Sequence, residues 1–163
     1  MRTTLKIGDQ AVYPGHGVGE VTAIENQEIS GQKQTFYILR ILDNGMKIMI
    51  PTNNVGHVGL REVIGKDQVN QVFKILRDKD PPAAPGLWNR RYREYMEKIG
   101  TGGALAVAEV LRDLYVVKGN KDLSFCERKL WDTARGLLIK ELAVAKSCDD
   151  VEIEHELEKI FPS

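Results

Sequence analysis

Between residues 8 and 62, short runs of β-branched and apolar residues are punctuated by glycines. Ala11-Val12-Tyr13, Val18-Gly19-Glu20-Val21, residues 35–42 and residues 47–50 read as strands. About four or five short antiparallel strands in this length predict a small barrel of SH3 or Tudor type. Asp43-Asn44-Gly45-Met46 is a hairpin signal, because Asn44 and Gly45 both tolerate the positive φ of a two-residue type I′ turn.

From about Gly65 the period changes. Val69, Val72, Phe73 and Leu76 recur at helical spacing. Asp80-Pro81-Pro82-Ala83-Ala84-Pro85-Gly86 cannot continue that helix, so residues 80–86 are expected to form a hinge. Residues 88–99 place Tyr92, Tyr95, Met96 and Ile99 on one helical face. Residues 103–117 place Leu105, Ala108, Leu111 and Tyr115 together. Residues 125–145 carry Leu130, Ala134, Leu137, Leu138 and Leu142, behind a capping box at Ser124-Phe125-Cys126-Glu127. Trp131 lies mid-helix and is expected in the core. Residues 150–161 carry Ile153, Leu157, Ile160 and Phe161, with an acidic first turn that suits the helix dipole. The expected architecture is β followed by α. A Tudor/SH3-like antiparallel β-barrel occupies residues 1–64, and an all-α domain of about four to five helices occupies residues 65–163.

The hairpin predicts a register. A two-residue turn pairs Asp43 with Met46, Ile41 with Ile48 and Leu39 with Ile50, which puts apolar pairs inward. It pairs Arg40 with Met49 and Ile38 with Pro51 on the other face. That face would show Ile38, Arg40, Met49 and Pro51, a row of apolar groups around one arginine. Pro51 has no N–H to donate, so its strand should end at a sheet edge. The face is either an interface or a surface covered by the rest of the chain.

Composition narrows the function. Hydrophobic residues make up 42% and charged residues 28%, as in a folded globular chain. No apolar run is long enough to span a bilayer, and no apolar core follows the first six residues, so the cytoplasm is the expected compartment. Cys126 and Cys148 form no Cys-x-x-Cys pair and read as reduced thiols. The formal net charge is zero. A protein that holds DNA unaided needs a basic surplus, so any nucleic-acid contact here must be local or assisted. The charge is uneven: Arg90, Arg91, Arg93 and Lys98 cluster before a tail rich in Asp and Glu.

Catalytic chemistry is missing from the pattern. Gly15-His16-Gly17-Val18-Gly19 is followed by β-like residues, whereas a phosphate loop must open a helix. It reads as a tight turn. His16, His57 and His155 have no ligand spacing, so neither a metal nor a cofactor is expected. No nucleophile–base motif occurs. A methyl-lysine cage would need converging aromatics, yet Phe36 and Tyr37 point to opposite faces.

Trp88-Asn89-Arg90-Arg91-Tyr92-Arg93 sets an aromatic beside permanently charged planar forks that suit phosphates. Such an aromatic can wedge between base steps in a minor groove. Two readings of Trp88 stay open. If the helix includes it, Trp88 lies in line with Tyr92, Tyr95 and Ile99 and joins the core. If Asn89 caps the helix, Trp88 sits outside it, its staple partner is Arg93, and the ring stays exposed.

Gly8-Asp9-x-x-Val12-Tyr13-Pro14-x-x-Gly17, Met49-Ile50-Pro51, Trp88-Asn89-Arg90-Arg91-Tyr92, Ala108-Glu109-Val110-Leu111-Arg112-Asp113-Leu114 and Leu123-Ser124-x-x-Glu127 together resemble the CarD/CdnL group of bacterial transcription factors. The first of these also resembles the polymerase-binding module of transcription–repair coupling factors. The resemblance implies a Tudor-like domain that docks on the RNA polymerase β subunit. It also implies a helical domain at the upstream edge of the promoter bubble. Met49 and Pro51 match the polymerase-contacting strand, and Ile38 and Arg40 join them through the pairing argument. Trp88 matches the wedge, Arg90, Arg91 and Arg93 match backbone-contacting bases, and Arg128 matches a further basic position. Some members carry arginine where this chain has Gln27 and Met49, so its polymerase contact should be more apolar. Tethering to polymerase would raise the effective concentration of the arginine patch, which answers the zero net charge. A monomer without enzymatic activity is expected, contacting promoter DNA without reading sequence and serving ribosomal RNA and other growth promoters. The reading from another class is an adaptor that binds polymerase through its β-domain and recruits a protein through its helices.

Overall fold

The computed structural model describes residues 4–78, 88–101, 103–118 and 123–162, with the backbone alone at 88–90, 101, 117 and 118. The chain forms two compact units, Met1–Val63 and Ile64–Ser163. The stretch read as a hinge, residues 80–86, lies outside the described residues. Among the described residues no helix is long and apolar enough to cross a membrane.

In the first unit, β1 (Gln10–Tyr13), β2 (Gly17–Ile29), β3 (Gln32–Ile41) and β4 (Lys47–Pro51) form one antiparallel sheet in the order β1-β2-β3-β4. Val12 and Arg61 exchange backbone hydrogen bonds of 2.7 and 3.1 Å, which gives β1 a second neighbour as barrel closure requires. Leu5, Ala11, Val21, Tyr37, Leu39, Ile41, Ile50, Val55 and Leu60 fill the core. The Tyr37 hydroxyl accepts the Leu5 N–H at 3.1 Å.

The glycine run is a turn. The His16 N–H donates to the Tyr13 carbonyl at 3.0 Å, with Pro14 and then Gly15, at φ 79°, between them. Proline followed by a positive-φ glycine is the arrangement of a type II turn. Gly19 serves packing instead. A Cβ there would lie 2.6 Å from Leu39 Cγ. Gly19→Ala should therefore destabilise the chain by about 1–3 kcal/mol. Thermal unfolding checks this, and an unchanged midpoint would contradict the close approach.

The two-residue type I′ turn is real but sits elsewhere. Ile29 pairs with Gln32, and the intervening Ser30 and Gly31 have φ of 52° and 79°. At the β3–β4 hairpin the expected register is off by two. Ile38 pairs with Met49, Leu39 with Ile48, Tyr37 with Ile50, Phe36 with Pro51 and Arg40 with Lys47. Residues 42–45 form the loop, closed by Ile41 N–H to Met46 O at 2.8 Å and Gly45 N–H to Ile41 O at 2.8 Å. Only Gly45 takes positive φ there. Two contacts explain the longer loop. The Leu42 N–H donates across to Val18 on β2 at 2.9 Å, and Asn44 Oδ1 accepts the Met46 N–H at 2.9 Å. The Asn44 side chain thus supplies locally what a tighter turn would need from the backbone. An even shift leaves every side chain on its expected face.

The second unit comprises α1 (Lys66–Arg77), α2 (Trp88–Thr101), α3 (Gly103–Lys118), α4 (Phe125–Lys146) and α5 (Asp150–Ile160). Antiparallel β followed by helices is the fold class expected from the sequence. α3 is central, with α1, α2 and α4 packed on it. It buries Ala104, Val107, Ala108, Val110, Leu111 and Leu114. The predicted single stripe was too narrow, because a helix covered on several sides has no one apolar face. Trp131 is only half-buried, packed with Tyr115 and Phe161. The capping box of α4 forms as read: Ser124 Oγ accepts the Glu127 N–H at 3.2 Å, and Glu127 Oε1 accepts the Ser124 N–H at 2.9 Å. Ser124→Ala should cost about 1 kcal/mol, measured by denaturant unfolding; no loss would mean the cap is idle. Glu141, buried on α4, accepts the Ile64 N–H at 3.1 Å and so fixes the chain entering α1.

Candidate interaction surfaces

The first surface is the outer face of β3 and β4. β4 is an edge strand and Pro51 is its last residue, as the missing N–H requires. Met49 is 45% exposed, Arg40 is exposed and Pro51 is half-buried. Ile38 departs from expectation: it lies on this face but is buried, with 8% of its surface exposed. β3 is an inner strand, so Ile38 is flanked by Ala23 on β2 and Met49 on β4. Lys47 joins the face opposite Arg40, a neighbour that the expected register had misplaced. Arg40 is partly balanced by Glu20 on β2, at 3.7 Å. Both groups are well exposed, so this pair adds little to stability and leaves Arg40 available. Gln27 lies away from β4, paired with Gln34 on the β2–β3 ribbon.

The second surface is the start of α2. The helix already includes Trp88, so Asn89 is inside it and does not cap it. The Trp88 and Arg90 side chains lie outside the described residues. Arg93 is exposed and Arg91 half-buried. Tyr95 and Ile99 are the residues of α2 that enter the core, whereas Tyr92 and Met96, expected on the same face, are exposed. α2 has no acid in its first turn. Arginines gathered at a helix N-terminus reverse the charge order that favours a helix, and they suit an external anion.

Arg128 stands in the first turns of α4, where its N–H donates to Ser124 O at 2.8 Å and its side chain is exposed. Tyr95 is buried on α2. Burial raises its hydroxyl pKa above the ordinary value, and so does Asp113 on α3. Arg91 opposes this, and Glu127 on α4 adds to it. Phe125, 82% exposed, was not singled out from the sequence. Periodicity marks it, since it precedes buried Ala134 by about two and a half turns and so faces away from the core stripe. Among the described residues, no group of three or more His, Cys, Asp or Glu side chains could hold a metal ion.

Comparison with known proteins agrees with this division. Residues 5–64 match the family described as the CarD-like/TRCF RID domain, and residues 71–158 match the CarD C-terminal domain. A Bacillus subtilis (strain 168) protein called "Putative transcription factor YdeB" is 35% identical over 149 residues, which is 91% of this chain and 97% of that protein. The solved CdnLNt of Myxococcus xanthus is 65% identical, covering 40% of this chain and 93% of its own, with a TM-score of 0.34. The 72-residue N-terminal domain of Myxococcus xanthus CarD is 41% identical, covering 36% of this chain and 79% of its own, with a TM-score of 0.32. The chain belongs to the CarD family of transcription factors.

Proposed function

We propose that this chain docks on the β subunit of RNA polymerase through Arg40, Met49 and Pro51 and stabilises the open promoter complex through its helical unit. The observation that carries the docking is an exposed thioether on an edge strand, beside an arginine and a proline, in a unit of the CarD-like/TRCF RID family. Ile38 supports the strand from a buried position and is not itself an exposed contact. Trp88 wedges into the minor groove at the upstream edge of the bubble, and Arg90, Arg91, Arg93 and Arg128 hold the phosphates. Base reading is not required, since minor-groove information is degenerate. The chain acts as a monomer, in the cytoplasm, and reaches the nucleoid through polymerase. Promoters with short-lived open complexes, those of ribosomal RNA among them, respond most.

The gain in open-complex lifetime should fall steeply with added salt, because phosphate contacts release counterions. A salt titration of that gain, with polymerase occupancy measured in parallel, tests this. A gain that does not change with salt would favour the adaptor reading, in which the arginines only solvate a helix face.

A further inference from the structure

The helical unit holds a cavity of about 100 Å³, of whose lining the promoter reading uses Arg128 alone. Three aromatic rings meet at it: Tyr115 on α3, Trp131 on α4 and Phe161 after α5. Tyr115 and Phe161 have ring centroids 4.8 Å apart, and Trp131 and Phe161 are 5.4 Å apart and edge-on. Trp131 retains exposed surface although it lies within a helix of the core. Arg128 and Arg135 stand in the same wall. At i, i+3 and i+7 along α4, Arg128, Trp131 and Arg135 share one face. Among the described residues neither guanidinium has an ion-pair or hydrogen-bond partner, whereas Glu158, the carboxylate of this wall, has an interaction of its own.

A half-exposed indole beside two uncommitted guanidinium groups fits a flat ring that carries an anion. Stacking on the aromatics is indifferent to base identity, and the arginine fork matches phosphate oxygens. We propose that this cavity binds a nucleotide, with its base against Trp131, which the buried Phe161 backs, and its phosphate on Arg128 and Arg135. An unstacked nucleotide of a melted strand and a free mononucleotide share this chemistry. The site needs neither polymerase nor Trp88. Arg128 is shared with the proposed promoter contact and Arg135 is not, so Arg135 is the residue to change.

The full chain carrying Trp88→Phe leaves Trp131 as its one tryptophan. Its emission is followed while an oligothymidylate, or separately thymidine 5′-monophosphate, is added. Saturable quenching by the oligonucleotide is expected, and Arg135→Gln should weaken it about tenfold. Quenching by the oligonucleotide alone assigns the site to melted strands; quenching by both admits free nucleotides. Inorganic polyphosphate should compete poorly, because it lacks a base. The proposal is overturned by any of three results: no saturable quenching by either probe, unchanged affinity in Arg135→Gln, or polyphosphate competing as well as the oligonucleotide.

Discussion

Met49→Asp should bind polymerase at least about 30-fold more weakly than the unaltered chain while unfolding at the same temperature. The side chain is 45% exposed at the sheet edge, so the fold does not depend on it. Surface substitutions of this kind usually move stability by less than about 0.5 kcal/mol. Within an apolar contact the new carboxylate loses water without gaining a partner. Losses at the centre of an interface commonly exceed about 2 kcal/mol. Equilibrium binding to cognate polymerase, with a melting curve beside it, separates the two effects. Retained affinity would remove Met49 from the docking surface. A fall in melting temperature would mean that Met49 packs rather than binds.

Trp88→Ala should keep polymerase binding and lose the effect on open complexes. The helix begins at Trp88, so the residue stands in the first turn of α2, beyond Tyr95 and Ile99, which enter the core. Unstacking a base step costs a few kcal/mol. A ring that offsets even ~1.4 kcal/mol of this slows bubble closure about tenfold, and its removal should return the lifetime to that of polymerase alone. Removing a core tryptophan would instead cost about 3–5 kcal/mol of stability. Thermal unfolding of Trp88→Ala therefore decides between a wedge and a packed ring, the two readings that the periodicity of α2 left open.

What could be read from the sequence was local. The capping box at Ser124 and Glu127 needs residues three apart, and both of its hydrogen bonds form. The turn after Tyr13 likewise depends on Pro14 and Gly15 alone. The β3–β4 register did not, because Leu42 bonds to Val18 across the sheet and lengthens the loop. The face carrying Arg40 and Met49 survived that error only because the shift was even. The burial of Ile38 was out of reach for the same reason. It follows from β3 lying between β2 and β4, not from the residues beside Ile38 in the chain. Gly19 against Leu39 and Glu141 against Ile64 are also contacts between distant segments. At α2, hydrophobic spacing overestimated the buried face, since Tyr92 and Met96 have the right period but remain exposed.

The promoter role is decided by the lifetime of an open complex at a ribosomal RNA promoter, with cognate polymerase, with and without this chain. The expected result is a lifetime several-fold longer with the chain, and no lengthening with the Trp88→Ala variant at equal polymerase occupancy. An unchanged lifetime with the unaltered chain bound to polymerase would contradict it.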